Sequence, residues 1–437
     1  MKFKLLIGSI LALSISSMGY AQTASDTAKT NEGNASPLTV TTAASTAQAV
    51  SPSQTLNVMA PTPTSVSVSD LTKRFNSMMQ NKDNPKGGPD WMDMFHLGGL
   101  LNLDAFDETK PEFGKNGQSR RDDLSIATTK LNIDADVNDW VNGHVGLFYS
   151  DTDSRYYRAN DVSTDGIRVD EAYAKIANFN TSPFYLQAGQ QYLPFGHYDL
   201  YPITKTLTQE LSETRDVSGV VGFVDKSGFS GSLYTLDGLK RTNHSNHDSL
   251  SNYGAALDFS DLNHVVTYDV GLDYLNNMID VGEISFNLAN STYVRRVGAI
   301  AAYGEVAQGP FSFGVDYVTA LTRFSTTDLS WQPRLGTTKG AQPRAGTVET
   351  SYAFPIAGHD SKLTASYQLT RQAHNVNGAT NALNLPKYRY SLACGSMILK
   401  NTIVAVEYRR DKDYPPQNGG TNSFDNALIL RLTLLLM

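Results

Sequence analysis

The stretch 264–275, "HVVTYDVGLDYL", sets Val266, Tyr268, Val270, Leu272 and Tyr274 against Thr267, Asp269, Gly271 and Asp273. A period of two is the repeat of a β-strand and not of a helix, and it sorts the apolar side chains onto one face. The same pattern recurs on either side. "VNGHVGLFYS" (141–150) alternates Val141, Gly143, Val145, Leu147 and Tyr149, and "SKLTASYQLTR" (361–371) alternates Leu363, Ala365, Tyr367 and Leu369. One face is apolar and ends in aromatics; the other carries charges, amides and glycines.

About sixteen such runs succeed one another. They lie at 95–106, 122–137, 141–150, 167–178, 183–193, 216–224, 229–237 and 252–260, then at 265–276, 292–305, 310–322, 344–354, 361–372, 386–397, 401–410 and 426–437. Runs of about 9–12 residues suit tilted strands that cross a membrane. The connections alternate in length. Turns such as "NDW", "DKSG", "DLN" and "PIAGHD" are short, whereas "DTDSRYYRANDVSTDG" and "DKDYPPQNGGTNSFD" are long and polar. An outer-membrane barrel sorts its loops this way, short turns inside and long loops outside; a soluble sandwich has no reason to. The expected fold is therefore all-β, a transmembrane antiparallel β-barrel of about 16 strands whose polar face lines an aqueous channel. Closure removes the strand edges that lipid does not tolerate.

The remainder of the chain is of another kind. "MKFKLLIGSILALSISSMGYAQ" has Lys2 and Lys4, an apolar run from Leu5 to Ile15 and a Gly19-Tyr20-Ala21 cleavage site, the signature of an export signal over 1–21. Residues 22–91 read as a low-complexity periplasmic leader, too poor in large apolar groups to offset its ordering entropy. Within it one short helix is expected at 69–80, capped by Ser69, with Leu71, Phe75 and Met78 on one face. The barrel is expected over 92–437. The single cysteine, Cys394, excludes a disulfide framework, and scattered basic residues with a net charge of −7 give no nucleic-acid footprint. The final run "NALILRLTLLLM" resembles a terminal barrel strand read by the barrel-assembly machinery, although it ends on Met437 and not on an aromatic.

One segment breaks the alternation. In "QYLPFGHYDLYPITKTLTQELSETRD" (191–216) the strand pattern stops at Pro194, which lacks a ladder donor; Phe195 offers an anchor and Gly196 a free backbone. Tyr198, Tyr201, Lys205, Glu210, Glu213 and Arg215 follow. In large porin-type barrels the third long connection often folds into the lumen, and this segment is expected to form such a constriction. The inward face of the strands offers both charges. Lys130, Arg168, Lys175, Arg296, Lys362, Arg389 and Arg409 stand against Asp134, Asp136, Glu171, Asp269, Asp273, Asp316, Glu349 and Glu407, and charged rings of this kind tune pore selectivity.

"DEAYAKI" (170–176), "YLQAGQQYLPFG" (185–196) and "LTQELSETRDVSGVVGF" (207–223), in this order, resemble the LbtU-type siderophore porin family. The resemblance implies uptake of an iron–siderophore complex across the bacterial outer membrane by a plug-less, diffusive barrel. Members often carry a helical segment ahead of the barrel, to which only the stretch 69–80 corresponds. A general or anion-selective, phosphate-type porin shares the architecture and stands as the alternative. An enzyme is not expected: the histidines are scattered and no Gly-x-Ser-x-Gly elbow is present, so no catalytic residue, cofactor or metal site is assigned. "RTNHSNHDS", with His244 and His247 beside Asp248, reads as a solvated loop. The expected partners are a ferric siderophore or another small polar solute, and outer-membrane lipid, with homo-oligomerisation left open.

Overall fold

The computed structural model describes residues 94–114, 120–151, 166–197, 203–242, 250, 252–261, 265–288, 290, 292–374 and 383–436. The expected export signal, the expected leader and its expected short helix, Tyr198, Tyr201 and the His244–His247 stretch lie outside the described residues. The barrel strands are β1 (Phe95–Glu108), β2 (Arg121–Asp136), β3 (Val141–Tyr149), β4 (Arg168–Ala177), β5 (Phe184–Tyr192) and β6 (Arg215–Val224). They continue with β7 (Phe229–Leu236), β8 (Asn252–Asp261), β9 (Val266–Leu275), β10 (Ala299–Gln308) and β11 (Phe311–Ala320). The last are β12 (Arg344–Ile356), β13 (His359–Arg371), β14 (Tyr388–Leu399), β15 (Thr402–Lys412) and β16 (Phe424–Leu436).

These sixteen strands form a closed barrel in chain order, and β1 pairs antiparallel with both β2 and β16. The expected barrel is thus found, with nearly every strand within a few residues of its expected limits. The exception is the expected strand at 292–305, which lies at Ala299–Gln308. Short turns join the strands at one end and long loops at the other. Between β12 and β13, Ala357 (φ 50°) and Gly358 (φ 84°) both take the left-handed region, as the two-residue hairpin that matches strand twist requires.

Alternation gives the wall an inverted distribution of polarity. On β9, Asp269 and Asp273 are buried while Val266, Val270 and Leu272 are exposed. Apolar surface of this extent suits lipid and not water. Among the described residues no helix is long and apolar enough to cross a membrane. Aromatic groups mark both ends of the outward face. At the short-turn end the ring centroids of Phe229 and Phe259 lie 4.4 Å apart, and those of Phe311 and Tyr352 4.8 Å. At the loop end Tyr367 meets Tyr390 at 5.1 Å, and Arg410 and Lys412 lie over Phe424 at 4.1 and 4.0 Å. Such girdles sit at the two membrane interfaces of outer-membrane barrels.

On the inward face three tyrosines lie opposite glycines: Tyr185 against Gly222, Tyr234 against Gly254 and Tyr303 against Gly271. A Cβ at these glycines would fall 2.6, 2.2 and 2.1 Å from the facing ring. Each phenol therefore rests directly on backbone.

One irregularity departs from period two. The β3–β4 register shifts between Gly146 and Leu147, so Asp170 is an extra residue and both it and Glu171 point inward, almost wholly buried. A bulge of this kind re-aims a side chain that strict alternation would have turned outward.

The lipid-facing assignment has a direct test. Leu272→Arg is expected to cost about 2–4 kcal/mol of folding stability in phospholipid vesicles, read from urea titrations of the refolded barrel. A cost near zero would place Leu272 in water.

Candidate functional site

The segment 193–214 joins β5 to β6 but does not stay beside them. Phe195 is completely buried, its N–H donating to Leu193 O at 2.8 Å. Gly196 turns the chain at φ 92°, a conformation costly for other residues, and its N–H donates to the Asp273 carboxylate on β9 at 2.8 Å. His197 stacks on Tyr303 of β10 (centroids 4.2 Å, rings 10° apart), with Nδ1 3.9 Å from Asp316 of β11.

From residue 203 the chain lies against the opposite wall. Ile203 O accepts from Arg431 of β16 at 3.4 Å, and Thr204 donates to Glu407 of β15 through its N–H (3.0 Å) and Oγ1 (2.7 Å). Lys205 O accepts from Arg389 of β14 at 2.8 Å, Leu207 N–H donates to Gln368 of β13 at 2.8 Å, and Thr208 meets Thr347 of β12 at 3.0 Å. One turn of helix, α1 (Leu207–Glu210), is started by the Thr206 side chain, which accepts from Gln209 N–H at 3.1 Å. The described parts of the segment thus bond to inward-facing residues on strands far from its own.

Apolar packing holds it there. Leu193, Phe195, Leu207 and Leu211 belong to one buried cluster with Met278, Ile279, Val281 and Ile284 of a second long connection, 276–298, and with wall residues including Leu236, Leu275 and Val318. That second connection carries α2 (Gly282–Asn287), and Gly282 N–H donates to Glu213 O at 3.0 Å. The sequence reading had no place for it. The signal was present, because Met278, Ile279, Val281, Ile284 and Leu288 are too apolar for a solvated outer loop.

Of the expected constriction residues, Tyr198 and Tyr201 lie outside the described residues, Gly196 bonds to β9, Lys205 and Glu213 pair within the segment, and Arg215 turns to Asp170 of β4. Lys205 Nζ pairs with Glu213 at 2.6 Å, and Gln209 also donates to Glu213 at 2.7 Å. Glu210, half-buried, has its carboxyl pushed up to about 7 by burial first and by the Glu283 charge second, against the pull of Lys205 and Arg389. Asp280 of the second connection is raised to about 6, again chiefly by burial.

The expected lumen residues divide into two groups. Arg389 pairs bidentately with Asp411 (2.8 and 2.9 Å), Arg409 with Glu108 (3.2 Å), and Arg431, not singled out from sequence, with Asp104 (both contacts 2.7 Å). Near β4, Lys130 reaches Asp170 at 2.9 Å and Glu171 at 3.4 Å, and Arg215 reaches Asp170 at 2.6 Å. Asp170 was missed because the bulge that turns it inward has no signature in the alternation. Arg168 lies over Phe148 at 4.2 Å, Lys175 stands 5.9 Å from the Tyr185 ring, and Lys362 is half-buried on the inward face of β13. Asp269 accepts from Ser260 at 2.7 Å. Arg296 corrects the expectation: β10 begins at Ala299, so Arg296 is an exposed loop residue and not part of the lumen wall.

No family model matches the chain. It is 30% identical over 303 residues to a UPF0422 protein of Coxiella burnetii, covering 68% of this chain and 60% of that one. A UPF0422 protein of Legionella pneumophila is 25% identical over 309 residues, covering 67% and 55% respectively. The chain thus spans little more than half the length of these curated relatives. Among solved structures, the outer membrane channel DcaP of Acinetobacter baumannii superposes with a TM-score of 0.52 at 12% identity, over 78% of this chain and 97% of that one. OprB of Pseudomonas putida gives 0.53 at 10%, over 79% and 95%. The fold is that of outer-membrane porins.

Two measurements test the inward packing. Phe195→Ala is expected to cost about 3–5 kcal/mol, read as a lowered urea midpoint of the refolded barrel; an unchanged midpoint would mean that the ring is not enclosed. A carboxyl whose folded value lies above its ordinary 4.5 keeps its proton after the unfolded chain has lost it, so stability falls as pH rises from 4.5 to about 7. Glu210→Gln is expected to flatten that part of the midpoint–pH profile, and a profile identical to the parent's would remove Glu210 from the account.

Proposed function

We propose that this chain is an outer-membrane channel for selective, diffusive passage of polar solutes, with segment 193–214 as its constriction. The observation that carries the proposal is the run of hydrogen bonds from that segment to inward-facing residues on β9 and β12 to β16. A segment fixed on both walls narrows a bore without closing it by mobility, and fixed polar groups at a narrowing discriminate among solutes.

The cargo we assign is a ferric siderophore complex. This assignment rests on the resemblance of 170–176, 185–196 and 207–223 to siderophore porins, and the polar groups at the constriction are of a kind that meets such a solute. The competing reading is a general or phosphate-type porin. In its favour, Arg389, Arg409 and Arg431 occupy adjacent strands; against it, each is held by a carboxylate. Outer-membrane lipid and the barrel-assembly machinery are the proposed partners, and the channel is read as acting without catalysis.

The test is single-channel conductance of the refolded protein in a planar bilayer, with ferric siderophores and phosphate titrated separately. Deleting residues 197–212 is expected to raise conductance and abolish siderophore block. Block by phosphate alone, or none, would hand the cargo to the porin reading, and unchanged conductance on deletion would remove the constriction.

A further inference from the structure

The interior is electrically divided. Arg389, Arg409 and Arg431 on β14 to β16, Lys130 on β2 and Arg215 on β6 sit against carboxylates at salt-bridge distance. Within the strands β7 to β12 themselves the only lysine or arginine is Arg344, the first residue of β12. The inward positions of those strands carry acids instead, Asp258, Asp269, Asp273 and Glu305 among them. Asp269 and Glu305 are direct cross-strand partners on β9 and β10. Like charges in that position repel and destabilise a sheet unless something positive stands between or beside them. Asp258, which is 4% exposed, accepts from Tyr303 through one oxygen, while the other has no hydrogen-bond partner among the described residues. A buried carboxylate oxygen left unmatched carries a desolvation cost that a cation removes.

We infer that the β7–β12 wall makes the channel cation-selective: its permeant solutes are cationic or carry a cationic face, with Asp269, Glu305 and Asp258 as the selecting groups. The inference rests on the channel reading and narrows its cargo. A siderophore complex passing this wall is neutral or positive, as a hydroxamate chelate with a free amine is, and not a polycarboxylate anion. Bases held by carboxylates on β14 to β16, against acids with almost no base on their own strands on β7 to β12, weight the latter wall negative, and clefts lined by one sign concentrate counter-ions. The groups facing this patch include His197, whose Nδ1 lies 3.9 Å from Asp316.

The experiment is the reversal potential of the refolded full chain in a planar bilayer under a KCl gradient. The expected sign is the one set by potassium, and Asp269→Asn with Glu305→Gln is expected to move it toward zero. These replacements are isosteric and relieve a like-charge contact, so folding is retained; the parent protein's own sign decides the matter regardless. A zero or chloride-set potential from an open channel overturns the inference and leaves the channel reading standing. An unshifted potential in the double variant overturns the assignment of these residues. Absence of any current from correctly folded protein overturns the channel reading, and the inference with it.

Discussion

Every backbone N–H and C=O in a lipid-facing strand must find its partner within the protein, because hydrocarbon offers none. The pairing of β1 with β16, Gly99 with Leu436 through Glu108 with Ala427, meets that demand at the one place where chain order cannot. Without it two strand edges would face lipid. With it, period two acquires a fixed meaning around the whole ring: odd and even positions become outside and inside. The apolar exposure of Leu272 and the burial of Asp273 beside it follow from the same closure.

That constraint explains what the sequence discloses. Strand positions, loop parity and the inward set on β9, β14 and β15 are legible because each is a repeat enforced by the barrel. Loops obey no repeat. The stretch 292–298 carries the β-formers Thr292, Tyr293, Val294 and Val297 and reads as the start of β10, yet Val297 is buried in the loop cluster and Arg296 is left exposed. The connection 276–298 escapes notice for a related reason. Its apolar residues serve a three-dimensional cluster assembled from four loops and the wall, and no local spacing announces that. The Pro194-Phe195-Gly196 corner is legible because it breaks a repeat. Asp170 is not, because a one-residue bulge leaves the flanking pattern intact.

The division of charge and the path of the 193–214 segment are linked. Arg389 and Arg431 are bound on one side by carboxylates and on the other by loop carbonyls, so the basic wall serves as the seat of the segment. Removing one member of such a buried pair strands the other, which makes these arginines costly to replace whatever passes through the bore. The acidic wall meets the same segment through Gly196 on Asp273, His197 near Asp316, Thr208 on Thr347 and apolar packing against Leu236, Leu275 and Val318.

The Tyr–Gly pairs give the calibre of the pore an origin outside its polar groups. Tyr185, Tyr234 and Tyr303 lie flat in recesses that only a hydrogen side chain opposite can provide. Their volume is stored in the thickness of the wall and subtracted from the aperture. A larger residue at any of the three glycines lifts a phenol away from the backbone toward the axis. The inner surface of the wall at these three places is accordingly set by glycines on the neighbouring strand, one ring at a time.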